Sequence, residues 1–123
     1  MRIRLTAGET VLSATLDDNA TARDFASLLP LTLRMDDLFK REKYGHLSRS
    51  LAVGGEPRFS YEIGDIAYWS PGPDIAVFYD HDGESIPDPG IVILGKIDHL
   101  GADALKKYDG AVDVAIEAIE AID

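Results

Sequence analysis

The sequence predicts a mainly β domain, a closed barrel of about eight strands with two short helices. Three observations lead to this fold class. Short apolar runs of strand-like pattern recur along the 123 residues, only two segments have a helical pattern without a competing strand pattern, and tight turns separate the runs. A sheet of this size would expose unpaired edge strands unless it closed on itself. We therefore expect a barrel or paired sheets in a single domain spanning residues 1–123.

An antiparallel hairpin is predicted at the start of the chain. Ile3 and Leu5 alternate with polar residues in its first strand, and residues 11–16 alternate in its second. Ala7-Gly8-Glu9 has the composition of a turn between them. The alternation indicates that one face of the hairpin is buried and the other is solvated.

A helix and a third strand are predicted next. Apolar residues recur at helical intervals over residues 20–29 before a proline, and Thr21 and Asp24 have the spacing of a capping box. Leucine and methionine then alternate with polar residues over 31–35, up to an acidic pair. This pattern predicts a strand that follows the helix directly.

The middle of the chain has a weaker pattern. A strand is predicted from Tyr44 to Leu51, although the stretch 39–51 that contains it mixes four basic residues with apolar and aromatic ones. Residues 54–57, with two glycines and a proline, predict a loop, and a short extended piece is expected near Phe59 and Tyr61.

Three apolar, aromatic or β-branched runs predict strands at 65–69, 75–80 and 91–97. Pro71 and Pro73 fix φ on both sides of a glycine, so the turn between the first two strands is rigid and holds their register. Adjacent rings in these strands, such as Tyr68 and Trp69, must point to opposite faces of the sheet.

The last segments predict one short helix and one ambiguous element. Residues 101–110 have helical character, with Lys106 and Lys107 near the end and Gly110 closing the helix. Residues 111–122 fit a strand by alternation and a helix by the stripe of Val112, Ile116, Ile119 and Ile122. Periodicity and propensity leave both alternatives open.

The composition excludes several classes of partner and chemistry. Twenty-two acidic against twelve basic residues give a formal net charge of −10, which repels nucleic acid and anionic membranes. The absence of cysteine excludes disulfides, thiol nucleophiles and thiolate metal sites. No apolar run has the length of a signal peptide or approaches the ~20 residues of a membrane span. We expect a cytoplasmic protein that binds neither nucleic acid nor a membrane.

The order of elements and four motifs resemble the cyclophilin fold in reduced form. The motifs are TARDFASLLP, GDIAYW followed by a Pro-Gly turn, IAVFY and ILGKI. Leu94-Gly95-Lys96-Ile97 followed by Gly101 to Leu105 is similar to the Phe-Gly-Lys-Val strand and helix of cyclophilins. The likeness is closer to compact bacterial and archaeal cyclophilin-like proteins, many of them uncharacterised, and covers nearly the whole chain. It implies a closing strand from Ala111 to Ala118, with the peptidyl-prolyl isomerases as distant relatives.

Only one residue of the isomerase active-site motifs has a counterpart in this chain. Their working arginine lies in a Phe-His-Arg stretch and hydrogen-bonds near the prolyl amide, and the resemblance places Arg49 at that position. The Met-x-Gly-Gly-Asp segment has no counterpart, and the strand at 74–78 lacks the Gln-Phe-Phe of the proline pocket. The resemblance therefore implies the fold without efficient isomerase activity, with Arg49 as a weak candidate catalytic residue.

A shallow pocket around Arg49 is the predicted ligand site. In a chain of charge −10, an arginine in a concave site is a local positive focus that suits a carbonyl or carboxylate. The predicted ligand-binding residues are Arg49, His46, Tyr44, Tyr68, Trp69, Phe78 and Tyr79. Each also has a structural interpretation, because arginine stems cover apolar surface and aromatic rings pack barrel walls.

Neither a metal nor a cofactor is expected. The acidic turn at 80–88 lacks the ligand ladder of a calcium loop, and Ser48, His46 and Asp65 have no nucleophile motif around them. The favoured function is a binding domain for a small molecule or peptide. The alternatives are a weak peptidyl-prolyl cis-trans isomerase and a structural subunit that self-associates through apolar residues between Val112 and Ile122.

Overall fold

Eight antiparallel strands close into a barrel in the computed structural model, which describes residues 1–99 and 101–119. The strands are β1 Arg2–Ala7, β2 Thr10–Leu16, β3 Leu31–Leu38, β4 Glu42–His46, β5 Asp65–Trp69, β6 Asp74–Phe78, β7 Val92–Ile97 and β8 Val112–Ala118. An α-helix, α1, spans Ala20–Ala26, and a 3-10 helix spans Gly101–Lys107. Around the barrel the order is β1-β2-β7-β5-β6-β4-β3-β8. This architecture confirms the predicted fold class.

Alternation along the strands fills the barrel interior. In the β1–β2 hairpin, Ile3 and Leu5 pair with Ala14 and Leu12, and all four side chains are buried. Gly8 forms the turn with a φ of +56°, a conformation that costs glycine little. The hairpin and its buried face are as the sequence predicts.

The start of α1 corrects the predicted capping box. Asn19 is the N-cap, and its side-chain oxygen accepts a hydrogen bond from the amide of Ala22 at 2.8 Å. Thr21 is fully buried, and its hydroxyl accepts a hydrogen bond from the amide of Gly54 at 2.9 Å. The predicted box is wrong because the helix begins at Ala20, so that Thr21 lies inside its first turn, and the helix ends at Ala26 rather than at residue 29.

The strand predicted from Tyr44 to Leu51 is wrong in its bounds. After His46 the chain leaves the sheet, and the amide of Leu47 donates to the carbonyl of Pro73 at 2.9 Å. Leu47 and Leu51 are buried in the main core from this irregular segment. Their apolar character therefore reflects a buried loop rather than a strand.

The closing strand resolves the ambiguity at the C-terminal end in favour of β structure. β8 pairs with β1 on one side and with β3 on the other. Val114 and Ile116 face the core, so the apolar residues that supported self-association are interior within β8. Ile122 lies outside the described residues. The described part of the chain contains no helix long and apolar enough to cross a membrane.

A charged side chain, Lys43, lies inside the barrel with no exposed surface. Its Nζ donates to the carbonyls of Tyr108 and Gly110, the latter at 3.1 Å, and lies 3.3 Å from a carboxylate oxygen of Asp37. The hydroxyl of Tyr79 donates to the same carboxylate. Burial and the adjacent Asp37 raise the pKa of Tyr79. This cluster ties β3, β4 and the segment after the 3-10 helix together.

Candidate functional site

The outer face of β4, β6 and β5 carries the candidate site. Tyr44, Ala76 and Ala67 lie opposite one another across the three strands, and Ile93 of β7 continues the row. Because both central residues are alanines, the middle of the row is low between larger neighbours. Ala76 forms the floor of a depression on the outside of the barrel, whereas Ala67 is fully buried and does not line it.

Larger side chains bound this depression on either side along β6. Glu42 lies opposite Phe78 in one row, and Asp74 lies opposite Trp69 in another. At a rise of about 3.3 Å per residue, the two carboxylate-bearing rows are roughly 13 Å apart. Residues with aromatic rings thus stand around an alanine floor that has a carboxylate at each end.

The loop before β7, together with the end of β3 and the turn after it, completes a cleft of ≈ 300 Å³. Ile86 and Pro87 come from that loop, Leu38 is the last residue of β3, and Phe39 lies in the turn. Tyr61 stacks on the ring of Phe78, with centroids 4.1 Å apart, and covers the neighbouring surface. The cleft-lining residues are Leu38, Phe39, Arg41, Glu42, Tyr44, Trp69, Asp74, Ala76, Phe78, Ile86, Pro87 and Ile91.

A buried ion pair lies at one end of the cleft. Nε of Arg41 donates to Oε2 of Glu42 at 2.9 Å, and both side chains are more than nine-tenths buried. Nη1 of Arg41 also binds both oxygens of Asp82, at 3.3 and 3.2 Å. Burial raises the pKa of Glu42, while the pairing with Arg41 acts against this rise. The Arg41 guanidinium is therefore already shared between two carboxylates.

The other end of the cleft carries Asp74, which is only partly covered. Nδ1 of His46 lies 3.1 Å from Oδ1 of Asp74. The His46 side chain is 67% exposed, and Asp74 is 19% exposed. His46 therefore lies outside the cleft and touches it only through Asp74.

The structure divides the predicted aromatic residues between two faces. Tyr44, Trp69 and Phe78 line the cleft. Tyr68 and Tyr79 belong to the barrel interior, where the Tyr68 hydroxyl accepts a hydrogen bond from the amide of Leu51 at 2.9 Å. The rule that adjacent strand residues face opposite ways separates them, so Tyr68 and Tyr79 cannot reach a ligand in the cleft.

Arg49 does not line the cleft, although the predicted pocket is centred on it. Its Nη2 and Nη1 bind the two carboxylate oxygens of Asp24 on α1, at 2.8 and 3.0 Å, and Nη1 also binds the carbonyl of Ser50. The amide of Ala52 donates to Asp24 as well, at 2.7 Å. The hydrogen bond from Arg49 and that from Ala52 hold the pKa of Asp24 far below its usual range. Arg49 fastens the loop after β4 to α1, and its charge is compensated there.

Arg41, Glu42, Phe39 and Asp74 are cleft residues that the sequence patterns do not reveal. The first three lie in the basic segment before Tyr44, where the predicted strand starts two residues too late. With β4 starting at Glu42, alternation alone places Glu42, Tyr44 and His46 on one face. Asp74 follows Pro73 directly, and the sequence Pro-Gly-Pro-Asp is typical of a turn rather than of a strand.

Other cavities lack this combination of groups. A depression of ≈ 450 Å³ beside α1 is lined by seven residues, none of them aromatic. A cavity of ≈ 240 Å³ near Asp37 and Tyr79 is lined by five charged residues and two tyrosines, with no aliphatic side chain. Within residues 1–99 and 101–119, no three His, Asp or Glu side chains converge in a way that could hold a metal ion. The cleft is thus the strongest candidate site in the described structure.

Comparison with known proteins identifies the family of the chain. A model of the cyclophilin-like family matches residues 5–117. The chain belongs to this family. A solved structure of a hypothetical protein from Archaeoglobus fulgidus shares the cyclophilin-like fold seen here, with a TM-score of 0.75 at 23% identity, over 95% of this chain and 93% of that one. No curated protein matches the sequence. Membership of the cyclophilin-like family thus confirms the resemblance predicted from the motifs.

Proposed function

We propose that this cyclophilin-like barrel is a binding domain for a small molecule or peptide, without efficient prolyl isomerase activity. One observation carries the proposal: the alanine-floored cleft between Tyr44, Trp69 and Phe78, with a volume of ≈ 300 Å³. Small-molecule sites typically begin at about that volume and combine apolar walls with a few polar groups. The cleft combines both features on a rigid sheet.

The surroundings of Arg49 argue against efficient isomerisation. An arginine that assists a prolyl amide has to offer its donors to the substrate, whereas Arg49 binds both oxygens of Asp24. The cleft floor is formed by Ala76 of β6 in a strand that lacks the glutamine and paired aromatics of the isomerases. A prolyl substrate would therefore lack both an arginine free to donate to its amide and the proline pocket of the isomerases.

The experiment is a thermal-shift screen of metabolites and proline-containing peptides. Ala76→Leu fills the floor of the cleft, and Ala115→Leu is a matched control because Ala115 is exposed on β8. A cleft ligand raises the melting temperature of the wild type and of Ala115→Leu, but not that of Ala76→Leu. A ligand that stabilises all three equally, or one that requires Arg49, would place the site elsewhere. A screen without any cleft ligand would remove the proposal.

The two alternatives have their own assays. We expect a protease-coupled assay on a prolyl peptide to give no rate above the uncatalysed isomerisation. A rate near that of ordinary cyclophilins would establish the isomerase alternative. Light scattering over a range of concentrations tests self-association, for which a mass that rises with concentration would be the evidence.

A further inference from the structure

The ionisable groups that line the cleft carry more negative than positive charge. Glu42 and Asp74 contribute two carboxylates, and Arg41 is the single guanidinium in the lining. That guanidinium also binds Asp82, so its charge is shared between two acids. The chain as a whole carries a net charge of −10. A carboxylate or phosphate ligand would therefore be repelled from this site.

Glu42 has capacity for one more donor. Its side chain is 8% exposed, and only Oε2 is bound, by Arg41. Oε1 accepts no hydrogen bond from the described residues, although Glu42 lines the cleft. A spare oxygen on a largely buried carboxylate favours a ligand that donates a hydrogen bond, above all a charged N–H donor.

Aromatic rings supply the second feature that a cation requires. Trp69 lies directly opposite Asp74 on the outer face, and Tyr44 and Phe78 stand around the same floor. Tryptophan is the side chain that attracts cations most strongly through its ring face. The protein already uses this chemistry for Arg41, whose guanidinium carbon lies 5.1 Å from the ring centroid of Phe39 and 5.2 Å from that of Tyr61.

We propose that the cleft selects a small organic cation, with an ammonium or guanidinium group on an aromatic or alkyl body. This inference rests on the proposed function and specifies its ligand class. The body packs on Ala76 between the rings, and the charged group donates to Asp74 or to the spare oxygen of Glu42. At about 30 Å³ for each water-sized group, ≈ 300 Å³ accommodates roughly ten heavy atoms.

The test compares three probes that share a phenyl ring and a two-carbon arm: phenethylammonium, 2-phenylethanol and 3-phenylpropionate. Trp69 is the only tryptophan of the chain and lines the cleft, so its fluorescence reports occupancy directly. At about pH 8 phenethylammonium keeps its proton and 3-phenylpropionate is ionised, so the three probes are cationic, neutral and anionic. We expect phenethylammonium to bind about tenfold or more tightly than the alcohol, and the carboxylate to bind weakest.

Two variants and one control test which carboxylates produce the preference for the ammonium probe. Glu42→Gln and Asp74→Asn should each reduce the preference for the ammonium over the alcohol several-fold, because each removes one carboxylate charge. Asp113→Asn makes the same change on β8, where Asp113 is 65% exposed and pairs with Arg34, and should leave the preference unchanged. If Glu42→Gln unfolds through the loss of its pair with Arg41, Asp74→Asn still gives the answer.

The outcomes separate this inference from the proposed function. Equal or tighter binding of the alcohol or the carboxylate would overturn the selection of cations while leaving a binding cleft in place. No response of Trp69 to any of the three probes at millimolar concentration would also overturn it, and the broader screen would then decide the proposed function separately. An ammonium preference that survives both acid substitutions would show that the carboxylates do not produce it.

Discussion

Replacing Lys43 by methionine should destabilise the barrel more than any change to a surface charge. The substitution conserves the length of the side chain but removes the donor that binds the carbonyls of Tyr108 and Gly110 and lies 3.3 Å from Asp37. Removing one partner of a buried ion pair costs about 3–5 kcal/mol. Asp37 keeps the Tyr79 hydroxyl and is 17% exposed, which places the expected loss at about 3–4 kcal/mol.

Urea denaturation followed by far-UV circular dichroism measures this loss as a change in the free energy of unfolding. Domains of this size have a total stability of roughly 5–15 kcal/mol, so Lys43→Met should remain folded in water at a lower urea midpoint. Adding Asp37→Asn should restore part of the loss, because it removes the uncompensated charge. Lys106→Met is the control, since Lys106 is 52% exposed and pairs, within the described residues, only with the half-exposed Asp80, and should change stability by no more than about 0.5 kcal/mol. A cost below about 1 kcal/mol for Lys43→Met would refute the reasoning.

Three further predictions concern the elements that frame the fold. Asn19→Ala removes the N-cap of α1 and should cost about 1 kcal/mol in urea denaturation, and an unchanged midpoint would contradict the cap. Tyr68→Phe removes the hydroxyl that binds the amide of Leu51 and should cost about 1–2 kcal/mol, whereas a neutral effect would mean that water replaces it. Because the pKa of Asp24 is lowered in the folded state, its contribution is present above its unfolded pKa of about 3.9 and is lost as pH falls below that value. Asp24→Asn should therefore flatten the acid side of the stability profile, and a profile that keeps its slope would show that the titration of Asp24 does not contribute to it.

The parts of the fold that the sequence predicts well are those with one dominant period. The β1–β2 hairpin alternates cleanly, and β5, β6 and β7 are short β-branched and aromatic runs between turns. Alternation by itself also assigns Tyr68 and Trp69 to opposite faces of β5. These predictions hold because the side chains of a strand have no other regular way to divide between a core and a solvated face.

The segment around Lys43 shows where such prediction fails. Alternation places Lys43 and Gly45 on the face opposite Tyr44, but a lysine inside a barrel contradicts every hydropathy pattern. Its position depends on carbonyls some 65 residues away in the chain, at Tyr108 and Gly110. A tertiary hydrogen-bond network of this kind leaves no local signal in the sequence.

Only part of the candidate site is predictable, because the position of a charged side chain again depends on its tertiary partner. Tyr44, Trp69 and Phe78 are predicted as ring-bearing residues near a pocket, and the structure places all three in the cleft. The resemblance places Arg49 there as well, yet Asp24 on α1 binds it elsewhere. Family membership fixes the fold, whereas the partner of a single charged side chain depends on contacts that only the folded chain reveals.

The most direct test of the central claim is to map amide and indole chemical shifts by two-dimensional NMR while phenethylammonium is added. The claim is that the outer-face cleft of this cyclophilin-like barrel holds a small organic cation. We predict that the largest changes cluster at the Trp69 indole and at the amides of Tyr44, Ala76 and Phe78, and that they disappear in Ala76→Leu. Changes centred on Arg49 and α1, or an absence of changes at Trp69, would contradict the claim.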